Sequence, residues 1–294
     1  MTRTIRPALA AIVLAVCAAL TITTVPPGVA AVPTATPAPV DAAPVAARGK
    51  PKVAIKLGVY RAPATIVTGS RLRFLGRTQK ALRGKKVSLQ RKVGKKGSWV
   101  TVGAAKVNSK QRFLVSGVVT GVGAVYWKVT AKKKVRKNGR KVTLRYTSKQ
   151  VGTAVYGWFY AADQQPVAVS WSDWDDLPRT IGGVRYSKSV GTDAYYFSDG
   201  DVEWGDYNLS YRCKTFTAQV GLDDESETGA KADFYVTLDD ARTRVASGKG
   251  LGAATSVTMD VASRLRIRLE VEAVTQYDAV ATFGDAKFLC RGKP

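Results

Sequence analysis

The sequence predicts an all-β protein made of two β-sandwiches, and three observations lead to this prediction. Polar and apolar residues alternate over eleven positions from Arg264 to Val274, which only a half-buried strand explains. The run from Lys86 to Val93 alternates in the same way and is followed by a glycine-bearing turn. Helical periodicity is absent, and 294 residues with 45% hydrophobic content suffice for two domains.

Residues 1–31 are predicted to be a signal peptide. Arg3 and Arg6 form a short positive region, an apolar stretch runs from Ala8 to Thr23, and a small-residue cleavage site follows at residues 29–31. The protein is therefore expected to be secreted, either extracellular or associated with the cell wall.

A lipoprotein anchor at Cys17 is the other interpretation of this segment. The bulky Val16 directly before the cysteine and the short apolar run ahead of it argue against that anchor. No later segment supplies the ~20 apolar residues that a stable membrane anchor needs. Residues 32–50 are rich in Pro and Ala, and they predict an extended, semi-stiff linker.

Cysteine usage agrees with export. Removal of the signal leaves Cys213 and Cys290, which lie in predicted strands from Tyr211 to Leu222 and from Ala286 to Cys290. In an oxidising compartment two cysteines can form one bridge, and the alternative is a pair of free buried thiols. No metal site is predicted, because the chain has no histidine.

Charge divides the chain into two halves. Residues 1–150 hold 31 Lys and Arg against the single acid Asp41, whereas residues 151–294 hold 15 against 21. The basic half will concentrate anionic polymers around it, so phosphate-rich or uronate-rich wall polymers are its expected partners. Nucleic acid would satisfy the same electrostatics, but no motif that reads nucleic acid is present.

Seven strands are predicted in residues 51–150. They run over residues 53–59, 71–77, 86–93, 98–102, 112–119, 124–131 and 142–146. The run from Gly84 to Arg91, followed by Gly97-Ser98-Trp99, resembles the Ig-like modules of exported bacterial proteins, and this resemblance implies an Ig-like β-sandwich.

A hairpin between the last two of these strands is expected to carry the cationic clusters that bind anionic polymer. The residues are Lys132, Lys133, Lys134, Arg136, Lys137, Arg140 and Lys141. The alternative for each cluster is a solvated loop.

Residues 151–294 contain two motifs of a known family. The segment from Gly183 to Ala194 is similar to the G-x-x-Y-x-K-G-I-G-T-H-A pattern of the NPCBM type of carbohydrate-binding module, and the segment from Phe216 to Asp224 is similar to its F-x-A-x-V-G-x-D-D signature. The resemblance implies a galactose-binding-like jelly-roll β-sandwich that accompanies glycoside hydrolases. Asp193 stands where the family has histidine, and Ser189 replaces a glycine.

A sugar site of this kind needs flat aromatic faces for the pyranose rings and polar groups for the hydroxyls. The candidate ligand-binding residues are Trp171, Trp174, Asp193, Tyr195 and Trp204, with Trp174 and Tyr195 favoured. For each ring the alternative is packing in the core or at its rim. The expected ligand is a neutral glycan.

The acidic run from Asp223 to Glu227 is expected in a hairpin loop and offers oxygen ligands that calcium takes, although a solvated loop is the preferred interpretation and no cofactor is predicted. Catalysis is not expected, because no nucleophile motif or metal cluster stands out. The predicted function is glycan recognition by the C-terminal module of a protein held at an anionic wall by its basic domain. The alternative is a structural or adhesive wall protein with no sugar ligand.

Overall fold

The computed structural model describes residues 53–170, 174–192 and 200–294, and it confirms the all-β prediction. Within these ranges the regular structure consists of strands and two single turns of 3-10 helix, Lys80–Leu82 and Ala161–Asp163. No helix in this part of the chain is long and apolar enough to cross a membrane.

All seven strands predicted for the basic half are present, together with β2 and β9. The bounds are β1 Val53–Tyr60, β2 Ile66–Val67, β3 Arg71–Thr78, β4 Lys86–Val93, β5 Val100–Lys106, β6 Arg112–Val118, β7 Gly123–Lys137, β8 Arg140–Ser148 and β9 Val151–Tyr160. Strand β7 pairs with β4, β8 and β9, and β1 pairs with β3 and β8. Side chains from β3 and β7 meet in a buried core, where the rings of Phe74 and Trp127 lie 4.8 Å apart.

The acidic half contributes the remaining strands. Their bounds are β10 Ala168–Val169, β11 Trp174–Asp175, β12 Arg179–Ile181, β13 Val184–Tyr186, β14 Val190–Thr192, β15 Val202–Asn208, β16 Cys213–Leu222, β17 Ala232–Leu238, β18 Ala241–Lys249, β19 Thr255–Asp260, β20 Arg266–Ala273 and β21 Ala281–Cys290.

Two sheets enclose the core of the acidic half. One has the strand order β10-β15-β20-β17-β18, and the other contains β9, β21, β16 and β19. Their apolar faces meet at the edge-to-face pair Phe234 and Phe283, whose centroids are 5.5 Å apart. Phe216 stacks on Phe288 at the same distance of 5.5 Å. The predicted strand from Arg264 to Val274 is β20, with its apolar positions facing this core.

Strand β9 belongs to both cores. Its first part, Val151 to Val155, pairs with β7, and its last part, Gly157 to Tyr160, pairs with β21. Val155 is buried in the core of the basic half, whereas Phe159 packs against the core of the acidic half. The two halves therefore share a strand with no linker between them.

The predicted disulfide is confirmed. Cys213 on β16 lies directly opposite Cys290 on β21, and their sulfur atoms are 1.98 Å apart. Both cysteines are buried, with 3% and 0% of their surface exposed.

The acidic run does not lie in a hairpin loop. Strands β16 and β17 on either side of it belong to opposite sheets, so the segment between them crosses from one sheet to the other. The residues of this segment indicate that the chain turns there, but they do not show which strands the flanking strands pair with. The expectation of a hairpin was therefore wrong.

Candidate functional site

Trp174 is a core residue. Only 8% of it is exposed, its Nε1 donates a hydrogen bond of 3.0 Å to the Tyr207 hydroxyl, and its ring centroid lies 6.3 Å from that of Phe283. The indole rests on Gly205, where a Cβ atom would come within 2.3 Å of Trp174 Nε1. The missing side chain at position 205 makes room for the ring, and this burial corrects the expectation of an exposed ring at position 174.

A cleft of about 490 Å³ lies beside the edge of this indole, with Asp163, Asp176 and Tyr207 among its lining residues. Burial raises the pKa of Tyr207 to about 12, so its hydroxyl stays protonated at neutral pH. Asp175, which also lines the cleft, is bound to Arg179 at 2.6 Å. The lining thus combines the carboxylates of Asp163, Asp175 and Asp176 with the side chains of Trp174 and Tyr207.

Trp204 lies on the outer face of β15, and its ring is covered. The guanidinium carbon of Arg268 is 3.6 Å from the ring centroid. Arg268 is held there by two hydrogen bonds to Asp206, of 2.8 and 3.1 Å. A sugar could reach this ring face only by displacing the arginine from its carboxylate.

Three other predicted ligand residues, Trp171, Asp193 and Tyr195, lie outside the described residues. Trp171 precedes β11 in the sequence and Asp193 directly follows β14. These two strands pair through Trp174 and Thr192.

The structure has an aromatic surface on β9 that was not predicted from the sequence. Tyr156, Trp158 and Tyr160 occupy alternate positions of β9 and therefore share one face of the sheet. Trp158 is 39% exposed. The signal in the sequence is the spacing of three aromatic residues at period two within Val-Tyr-Gly-Trp-Phe-Tyr.

Polar side chains from the neighbouring strands extend this surface. Tyr160 on β9 lies opposite Lys287 on β21, which in turn lies opposite Thr217 on β16. The Lys287 ammonium is 5.5 Å from the ring centroids of both Trp158 and Tyr160. Thr217 Oγ1 is buried and has no hydrogen-bond partner among the described residues. An aromatic ring, an ammonium donor and a buried hydroxyl thus follow one another across three strands.

A shallow cleft of about 370 Å³ continues from Lys287 and Thr217. Tyr186 and Gln219 line it, and the ring of Tyr186 packs against Gly284, where a Cβ atom would lie 2.7 Å from Tyr186 Cγ. The absent side chain lets this ring lie flat on the sheet. We call the whole surface the aromatic face, defined by Trp158, Tyr160, Tyr186, Thr217, Gln219 and Lys287.

The paired aspartates of the acidic run hold the turn between β12 and β13. Asp223 accepts a hydrogen bond of 2.8 Å from the Thr180 amide, and Asp224 accepts bonds of 2.7 and 2.8 Å from Gly182 and Gly183. These carboxylates therefore bind backbone amides. In the ranges that the structure covers, no group of three or more Cys, Asp and Glu side chains could hold a metal ion.

The cationic clusters of the basic half lie in paired strands, with only Asn138 and Gly139 at the turn between β7 and β8. Lys132 faces Arg145, Arg136 faces Lys141 and Lys137 faces Arg140. Like charges directly opposite each other repel, and no carboxylate occurs in the sequence between Asp41 and Asp163 to offset them. We call this β7–β8 hairpin, from Lys132 to Arg145, the basic ribbon.

The two facing sheets make the acidic half of the protein a β-sandwich domain. The NPCBM/NEW2 domain family matches residues 142–289, half of the chain, and the chain belongs to this family. The match covers β9 to β20, part of β8 and all of β21 except Cys290, and it confirms the resemblance seen in the sequence motifs.

One curated relative is named "Putative endo-alpha-N-acetylgalactosaminidase" and comes from Renibacterium salmoninarum. It is 28% identical over 144 residues, which are 48% of this chain and 9% of the relative. The chain thus spans only a small part of that protein's length. A solved exo-beta-1,3-galactanase from Phanerochaete chrysosporium, crystallised with galactose, aligns with 80% of this chain and 68% of its own at 8% identity and a TM-score of 0.26.

Proposed function

We propose that this protein is a secreted, non-catalytic glycan-binding protein whose sugar site is the aromatic face. The family match supports carbohydrate binding. The observation that carries the proposal is the row Tyr160, Lys287 and Thr217, with the exposed ring of Trp158 beside it.

This row supplies what a sugar needs from a protein surface. The Trp158 ring offers a flat apolar face to a pyranose, while the Lys287 ammonium can bond to sugar hydroxyls. The relative's name makes glycans that carry α-linked N-acetylgalactosamine the first probes, with galactose-containing neutral glycans next.

Replacing Trp158 by alanine should weaken glycan binding by about tenfold, because stacking on an exposed ring is worth about 1 to 3 kcal/mol. The measurement is titration of the full chain with a neutral glycan selected on an array. Trp99→Ala, an equal loss of ring area in the basic half, is the matched control and should leave this affinity unchanged. If the wild-type chain ignores every neutral glycan on a broad array, the protein is a structural or adhesive wall component instead.

The second part of the proposal is that the basic half holds the protein at anionic cell-wall polymers. Its support is that the basic ribbon carries no carboxylate, and that Lys132, Arg136 and Lys137 each face another cationic residue across the strands. A polyanion laid along the ribbon would remove this repulsion.

Binding to teichoic acid or heparin should therefore weaken steeply as salt rises, because screening shortens to ~8 Å near physiological ionic strength. Changing Lys132, Lys134, Arg136 and Lys141 to Gln should lower the affinity at least several-fold, as measured by retention of the full chain across a salt gradient. The matched control changes Lys56, Arg73, Arg77 and Arg112, which lie on β1, β3 and β6, and removes the same charge. Equal weakening by both sets would show that net charge, not the ribbon, binds the polymer.

A further inference from the structure

The basic ribbon continues into a second group of side chains on the same face of β7. Along this strand Val125, Trp127 and Val129 point into the core, so the residues between them face outward. The outward positions are Tyr126, Lys128, Thr130, Lys132, Lys134 and Arg136. The strand thus has an aromatic, half-buried end and a more exposed cationic end.

Trp99 lies at the aromatic end, just before β5. The Lys128 ammonium is 4.1 Å from its ring centroid and the Lys92 ammonium is 5.3 Å from it. Lys92 pairs with Tyr126 across β4 and β7, and its ammonium is 5.4 Å from the Tyr126 ring. Two rings and two ammonium groups therefore form one compact group, which we call the Trp99 cluster: Lys92, Trp99, Tyr126 and Lys128.

The positive charge of the Trp99 cluster is not neutralised within the described part of the protein. Lys92 donates a hydrogen bond of 3.0 Å to the Lys95 carbonyl, and no salt bridge in that part reaches either lysine. Burial lowers the pKa of Lys128, and the neighbouring charge of Lys92 lowers this pKa further. An anion between the two ammonium groups would supply the charge that the protein does not.

Neutral hydrogen-bonding groups lie next to the cluster on the same face. Gln90 pairs with Lys128 across β4 and β7, its amide is 3.5 Å from the Thr101 hydroxyl, and Thr130 is the next outward residue of β7. Hydroxyl and amide groups beside rings and cations suit a ligand that is itself rich in hydroxyls.

We propose that the Trp99 cluster is a binding subsite for one sugar of an acidic polysaccharide, whose following anionic groups lie along the basic ribbon. The pyranose would stack on Trp99 or Tyr126 with its carboxylate between Lys92 and Lys128. This inference rests on the proposed anion binding by the basic half. It adds that this half recognises the sugar ring as well as the negative charge. Single-stranded nucleic acid is the alternative ligand, and the test must distinguish it from an acidic polysaccharide.

The test compares three probes on the full chain at one ionic strength: polygalacturonate, inorganic polyphosphate and single-stranded DNA. Trp99→Ala should weaken polygalacturonate binding by about tenfold, because a stacked sugar loses its ring. Polyphosphate has no ring to stack, so its affinity should change by less than about twofold. Trp99→Phe should restore most of the polygalacturonate affinity.

Each other outcome overturns the inference. An equal effect of Trp99→Ala on polygalacturonate and polyphosphate, or no effect on either, would show that the ring does not contact sugar. An equal or larger loss with single-stranded DNA would assign the Trp99 cluster to nucleic acid. If the wild-type chain binds polyphosphate in these cases, the proposed electrostatic binding by the basic half is still supported. If the wild-type chain binds none of the three probes, both proposals are wrong.

Discussion

Replacing Trp174 by alanine is expected to lower the free energy of unfolding by about 3 to 5 kcal/mol, the usual cost of removing a large aromatic side chain from a core. The ring fills the space above Gly205 and its Nε1 is bonded to the Tyr207 hydroxyl, so the variant leaves a cavity and an unpaired buried hydroxyl. Urea unfolding followed by tryptophan fluorescence measures the change.

Trp158→Ala separates stability from binding. Its ring is exposed, so this variant should unfold close to the wild-type urea midpoint while its glycan affinity falls. If Trp174→Ala instead kept its midpoint and lost glycan affinity, then its indole would be a ligand-binding ring and not part of the core.

The disulfide between Cys213 and Cys290 is expected to contribute a similar amount to the free energy of unfolding. By the chain-entropy account, a bridge with a sequence separation of 77 residues stabilises the folded state by about 4 kcal/mol. The double change of Cys213 and Cys290 to Ala should lower the unfolding midpoint accordingly, because the unfolded chain regains the freedom that the bridge removes.

Reductant provides the control for this effect. Reduction should destabilise the wild-type protein as much as the double change does, and it should leave the double variant unaffected. Intact mass with and without reductant reports the bond itself. Equal midpoints for the oxidised and reduced wild type would contradict the expected contribution.

The strands could be predicted from the sequence because alternation is a local signal. The run from Lys86 to Val93 became β4 with the same bounds, and the alternating run from Arg264 to Val274 became β20, shorter at its ends by a few residues. The pair β7 and β8 runs further than predicted. The composition of a Lys-rich stretch predicts a loop. The tight turn at Asn138 and Gly139 instead lets the backbone hydrogen bonds between β7 and β8 continue to the end of the hairpin.

The candidate site could not be predicted in the same way, because its residues come together only through long-range pairing. Tyr160 meets Lys287 across more than a hundred residues of sequence, and Thr217 joins them from a third strand. Likewise, no residue near Trp174 in the sequence indicates that the missing side chain at Gly205 leaves space for the Trp174 ring. Residue type picks out aromatic side chains such as Trp174 as candidates, whereas strand pairing and burial decide which rings face outward.

The shared strand β9 connects the two proposed binding surfaces without a flexible tether between them. Trp158 belongs to the same strand that holds β7 in the core of the basic half, so the strand itself sets the distance between the two proposed binding surfaces. Two sites on a flexible tether can adapt to many ligand spacings, whereas rigid sites engage together only when the spacing in the ligand matches. A wall fragment that carries both a neutral glycan and an acidic chain would then bind to both surfaces at once only if the distance between these two components matched the distance between the surfaces.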